Sequence, residues 1–281
     1  MWWHVTRPMW ALVIAAVGLG GCARTQTSAT PGEYGNTDGV VIEVSVGGGL
    51  VPPPVRVSDS LPRTWIAGDG RYLRQAPDGS ANPALITLEE RRIPEAALPG
   101  LINSARDVGL FEDKPDYGDP RFADAMVTRI VVTADGERHT VLVSALGYPN
   151  LGLTNEQLTA RAQLSGFLDL LGDPEKIAGV SSPSIYPPTE IAVYILGATS
   201  DSVTTPPATW PLGKLGTGGT VTDWPDRSAR CFVVTGGDAE AVISAAAGKD
   251  RLTPWRAPDG VWDIALRPLL PDEHSCADVV G

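Results

Sequence analysis

The 281-residue chain is 43% hydrophobic and 20% charged, a balance that excludes a disordered polyelectrolyte and supplies apolar surface for one large core or two ordinary ones. Its 33 acidic residues outnumber 22 basic ones, for a formal charge of -11. That excess makes nucleic acid and anionic lipid head groups poor partners, because binding either one rests on basic patches.

The first element is an apolar segment at residues 9–19, preceded by Arg7 and shorter than the roughly 20 residues of a membrane-spanning helix. It reads as the core of a signal peptide covering residues 1–21. The segment closes on Leu19-Gly20-Gly21-Cys22, which resembles the lipobox of bacterial lipoproteins. The resemblance implies transfer of a diacylglycerol to the Cys22 thiol and cleavage just before it. Cys22 then becomes the mature N-terminus, anchored at the extracytoplasmic face of the cell membrane. Two acyl chains hold a protein stably, since each buried CH2 contributes about 0.8 kcal/mol. The alternatives, an ordinary cleaved signal or an uncleaved anchor, still place the body outside the cytoplasm. Residues 22–39, rich in Thr, Ser, Ala and Gly, cannot bury apolar area and read as a flexible tether.

Of the three cysteines, Cys22 takes the lipid, which leaves Cys231 and Cys276 as an expected disulfide in an oxidising compartment. A redox or metal pair is the alternative, but CxxC spacing is missing and His274 is the one nearby histidine.

The fold class expected is α+β: antiparallel sheets with a few packed helices in two small domains, 40–172 and 189–281, joined by a Pro- and Ser-rich linker at 173–188. Residues 40–46 alternate apolar and polar as a half-buried strand. The glycines at 47–49 lead into Pro52-Pro53-Pro54, where a phosphate-binding helix would have to start, so the stretch reads as a loop. Residues 64–66 and 71–74 form a hairpin, with a further strand inside 85–93 and a helix inside 94–108 that Pro99 restricts to its second half. Asp135-Gly136 closes a second hairpin in the type I′ manner, which pairs Val132 with His139, Ile130 with Val141 and Thr128 with Val143. His139 then sits at the rim of a core face and reads as structural, not catalytic.

Thr154 and Gln157 form a capping box for a helix whose inward residues are expected to be Leu158, Ala162, Leu164, Leu168 and Leu171, ending at Gly172. In the second half, Ile191, Val193 and Ile195 mark one face of a strand, and residues 231–235 another. Asp238 is expected to cap a short helix. A terminal hairpin turns at Pro258-Asp259-Gly260, with Trp262, Ile264 and Leu266 on one face.

Chemistry-bearing patterns are sparse. Asp113, Asp116, Asp119 and Asp124 offer hard oxygens for a cation, but without EF-hand spacing, and read as a solvated acidic loop. The mature chain holds two histidines, His139 and His274, and no GxSxG, SxxK, HExxH or CxxC. No catalytic residue, metal or cofactor is therefore expected. Trp210 and Trp224 lie in the long polar stretch 197–227, where an aromatic either plugs a local core or stacks on a sugar or partner. The segments 230–237 and 267–276, with the hairpin at 126–144, look like secreted lipoproteins of high-GC Gram-positive bacteria. That resemblance implies an envelope location and no functional residues. The expected function is a non-enzymatic interaction or accessory protein of the cell envelope with an envelope protein as partner. Two alternatives are a ligand-binding lipoprotein, with a small molecule or glycan held between the domains at Trp210 and Trp224, and a hydrolase built from dispersed carboxylates.

Overall fold

The computed structural model describes residues 39–77, 82–149, 152–199, 205–225 and 229–279. The expected signal peptide, Cys22 and the expected tether as far as residue 38 lie outside the described residues. In chain order the elements are β1 (Val40–Gly48), α1 (Pro53–Asp59), β2 (Thr64–Ala67), β3 (Arg71–Gln75), β4 (Leu88–Arg92), α2 (Leu98–Asp107), β5 (Met126–Ala134), β6 (Glu137–Ser144), α3 (Asn155–Gly172) and β7 (Ser184–Ile185). The second half adds β8 (Glu190–Ala198), β9 (Ala208–Thr209), β10 (Thr220–Val221), β11 (Arg230–Thr235), α4 (Gly236–Ala246), β12 (Trp255–Ala257) and β13 (Gly260–Pro268).

The architecture is α+β. One antiparallel sheet runs β6-β5-β1-β2-β3-β4-β7, and a mixed one runs β10-β11-β8-β13-β12-β9 with β9 and β12 parallel. The period-two pattern of β1 sends Ile42 and Val44 into a core with Ile130, Val132, Val141 and Val143, roofed by Leu101 and Ile102 of α2 and Leu164, Phe167 and Leu171 of α3. Glu43 and Ser45 therefore face the other side of the sheet. The β5–β6 hairpin has the register that its turn dictates, with Val132 opposite His139. Asp135 and Gly136 carry φ values of 55° and 78°, as a type I′ turn requires.

Three local expectations are corrected. Residues 53–59 are helical, because Pro53 supplies the fixed φ suited to a first helical turn and Val57 finds a buried seat against Ala192, Tyr194 and Leu269 of the second half. In α3 the inward position next to Leu164 is Arg161, 3% exposed, while Ala162 is exposed. The guanidinium donates to the carbonyls of Tyr117, Ser144 and Ala145, which satisfies both the loop before β5 and the turn after β6. Thr235, not Asp238, is the N-cap of α4, and no side chain caps that end. The Thr154–Gln157 capping box is present as expected.

The segment 173–188 makes a 3-10 turn at Pro174–Lys176 and then the short strand β7, paired to β4. Beneath it lies a buried charge cluster. Glu89 accepts from Arg91 at 2.6 Å and pairs with Arg74 at 3.1 Å, and Arg91 reaches Glu175 at 2.7 Å. Burial pushes the Glu89 carboxyl up, but hydrogen bonds from Arg91 and Arg74 outweigh it and hold it below its usual value. A carboxyl depressed in the folded state contributes stability above its unfolded value near 4.5 and loses it as pH falls through the folded one. The urea midpoint of the protein is therefore expected to drop on acidification below about pH 4.5, and less steeply in Glu89→Gln. Equal slopes for the two proteins would contradict this.

Candidate functional site

The side of the first sheet opposite α2 and α3 is covered unevenly. Trp65, Leu73 and Leu88 meet Leu61 and Leu270 in a dry cluster, whereas the β1–β5–β6 end is left open. Antiparallel pairing sets Ser45, Arg129 and Leu142 side by side there. Glu43 lies on the same face, one alternate position away along β1, and accepts from the Arg129 guanidinium at 2.6 Å.

The space above this face is a cleft of about 230 Å³. Val46, Val51, Val127, Leu142 and Trp224 form its apolar walls, and Glu43, Ser45, Arg56, Asp59, Ser60 and Arg129 its polar groups. Two contacts carry the second half of the chain to it. Trp224 packs edge-on against Tyr194 of β8, with ring centroids 5.3 Å apart, and Arg56 of α1 donates to the Pro225 carbonyl at 2.8 Å. The indole is thus braced on one side by the second sheet and presented on another to the cleft.

Asp59 is the last residue of α1, a position where the helix dipole disfavours negative charge. Burial raises its pKa, and the positive charges of Arg251 and Arg63 oppose the rise. A second compartment of about 270 Å³ shares Glu43, Ser60 and Arg129 and continues over Arg138, Asp272, Glu273 and Asp278. Its floor is the buried pair Arg267–Glu273, bidentate, with Arg267 Nε also donating to Ser60 Oγ at 2.9 Å.

Trp210 and Trp224 are not brought together. Trp210 is 4% exposed and packs edge-on against Trp255 at 5.8 Å inside the core of the second sheet, while Trp224 lines the cleft. The acidic loop is likewise divided. Asp116 accepts from Gly118 N and from the Gln157 side chain of α3, Asp119 accepts from Arg121 N, and Asp113 and Asp124 are exposed. Among the described residues, no group of three His, Cys, Asp or Glu side chains could hold a metal ion. His139 packs against Phe111 with the rings tilted by 50° and their centroids 4.7 Å apart, and His274 lies 3.5 Å from Glu190.

Cys231 and Cys276 are joined in a disulfide with their Cα atoms 6.1 Å apart. No helix among the described residues is long and apolar enough to cross a membrane. Glu43, Asp59 and Arg129 were not visible as site residues from sequence. Glu43 and Arg129 read as solvent-facing positions of alternating strands, and Asp59 follows a triple proline that reads as a loop unless Pro53 is taken as a first helical residue. Compared with protein-family models, with curated proteins and with solved structures, the chain has no match.

Proposed function

We propose that this protein is an envelope lipoprotein, held through lipidated Cys22 at the extracytoplasmic face of the cell membrane, that captures a small amphipathic molecule in the cleft between the first sheet and α1. The Cys231–Cys276 bond is consistent with that compartment. The observation that carries the capture reading is the apolar wall of Val127, Leu142 and Trp224 facing the polar groups of Glu43, Ser45, Arg56, Asp59, Ser60 and Arg129 in one recess. An apolar wall with polar groups converging on one concave recess is the usual composition of a small-molecule site. A protein partner in the accessory reading would need an extended complementary face, and a recess favours a smaller occupant.

Glu43 and Asp59 share the cleft, as a two-carboxylate hydrolase would require, yet Glu43 is engaged by Arg129 at 2.6 Å. That engagement favours binding over hydrolysis. Titration of the purified protein with the neutral fluorophore N-phenyl-1-naphthylamine tests the reading. One saturable site is expected, weakened at least about tenfold by Leu142→Asp, a change at a 65% exposed side chain that the fold tolerates. Equal affinity of both proteins would place any binding elsewhere and remove the support for this cleft.

A further inference from the structure

The end of a sheet is where a fold can take on another strand, because an end strand has backbone groups without a partner on one side. Among the described residues the two sheets have four ends. Three are closed by strands of two residues, β7, β9 and β10, which offer little backbone to pair with. The fourth is β6, eight residues long, free of proline and in unbroken register with β5. Short length, proline and a bulge usually blunt an edge, and this end has none of them.

The hairpin decides which backbone groups of β6 are open. Ala134 and Glu137 flank a two-residue turn and exchange both backbone hydrogen bonds, and every second pair along the strands repeats that arrangement. Ala145 N, which donates to the Met126 carbonyl at 2.9 Å, keeps the same phase. The N–H and C=O groups of His139, Val141 and Val143 therefore point to β5, and those of Arg138, Thr140 and Leu142 point out of the sheet. All three of the latter residues are exposed. Ser144 is next in the row, and there the open edge ends, because its carbonyl accepts from Arg161.

We propose that β6 takes up an extended segment of another protein as an added antiparallel strand, with an apolar residue opposite Leu142, a small polar one opposite Thr140 and an acidic one opposite Arg138. Both backbone groups of each of the three outward residues are then hydrogen-bonded, and alternate side chains of the segment carry the specificity. Leu142, 65% exposed, gains an apolar neighbour. The Arg138 guanidinium has Glu43 at 3.9 Å, a carboxylate that Arg129 already holds at 2.6 Å, so an acid directly across the new strand pair improves its pairing. A second copy of this chain fits the row less well. Self-pairing about Thr140 sets Arg138 against Leu142, and it joins two chains of formal charge -11. The proposal goes beyond the capture reading and needs no occupant in the recess.

The probe is a fluorescein-labelled peptide, Ser-Leu-Val-Thr-Val-Glu-Ser, titrated with the purified protein while anisotropy is followed. One saturable site is expected. N-methylation at the central Thr, whose amide faces β6, should weaken binding at least about tenfold, whereas N-methylation at the Val that follows it, whose amide faces away, should leave the affinity unchanged. Replacing the peptide's Glu with Lys should weaken binding about threefold. Thr140→Pro should abolish binding with the melting temperature retained, since the N–H that is lost makes no bond to β5. Binding of N-phenyl-1-naphthylamine should survive Thr140→Pro, because Thr140 does not line the cleft. No saturable binding, or equal effects of the two N-methylations, overturns strand addition and leaves the capture reading standing. Equal affinity for the Glu and Lys peptides overturns the role of Arg138. A dimer in sedimentation that Thr140→Pro dissociates assigns the edge to a second copy and overturns the proposal.

Discussion

Breaking the Cys231–Cys276 bond is expected to lower unfolding stability by about 4 kcal/mol, and the melting temperature by about 8–16 °C. The bond closes a segment of 45 residues, and the chain-entropy cost that it removes from the unfolded state grows with the logarithm of that length. It ties β11 in the second sheet to the tail that follows β13. That tail puts Leu270 into the dry cluster on the first sheet and Glu273 beneath the charged compartment. Its loss therefore loosens contacts of both sheets. Urea titration of the protein with and without reductant, alongside Cys231→Ser/Cys276→Ser, measures the effect. A midpoint unchanged by reduction, with free thiols confirmed, would contradict it.

Glu273→Ala is expected to cost about 3–5 kcal/mol. Arg267 is 1% exposed, and the Glu273 carboxylate accepts from both of its Nη atoms while also taking the Leu270 N–H. Without that carboxylate, Arg267 keeps Ser60 Oγ and its neighbour's carbonyl, the latter at 3.3 Å. An uncompensated guanidinium is then left in a dry site. Replacing both partners removes the buried charge along with the pair, so Arg267→Met/Glu273→Leu should be the more stable of the two variants despite two changes. Chemical denaturation of both decides the point, and a double variant less stable than the single one would show that the pair is worth more than its desolvation. Because the disulfide and this pair hold the same tail after β13, their effects should not add.

The parts of this fold that were legible in the sequence are those governed by a few adjacent residues. Asp135-Gly136 can adopt the positive φ values of a tight hairpin turn, and once the turn type is set, every pair from Ala134–Glu137 to Val127–Ser144 follows. Thr154 and Gln157 satisfy the first amides of α3 between themselves. With Cys22 expected to carry a lipid, counting alone pointed to the Cys231–Cys276 pair, which is bonded.

What tertiary structure alone decided is where surfaces from distant parts of the chain meet. The triple proline at 52–54 becomes the start of a helix because Val57 is offered a buried seat by β8 and the tail, more than 130 positions away. Arg161 turns inward in place of Ala162 because three carbonyls from two loops need donors in one place, a demand that periodicity does not register. The cleft is the extreme case. Ser45, Arg129 and Leu142 become neighbours through strand pairing, Asp59 arrives on a helix that its own sequence does not announce, and Trp224 is braced there by Tyr194. Local sequence determines backbone conformation because φ, ψ and the nearest hydrogen bonds are short-range. A binding recess is set by burial and charge compensation among groups far apart in the chain, and those are established when the sheets close on each other.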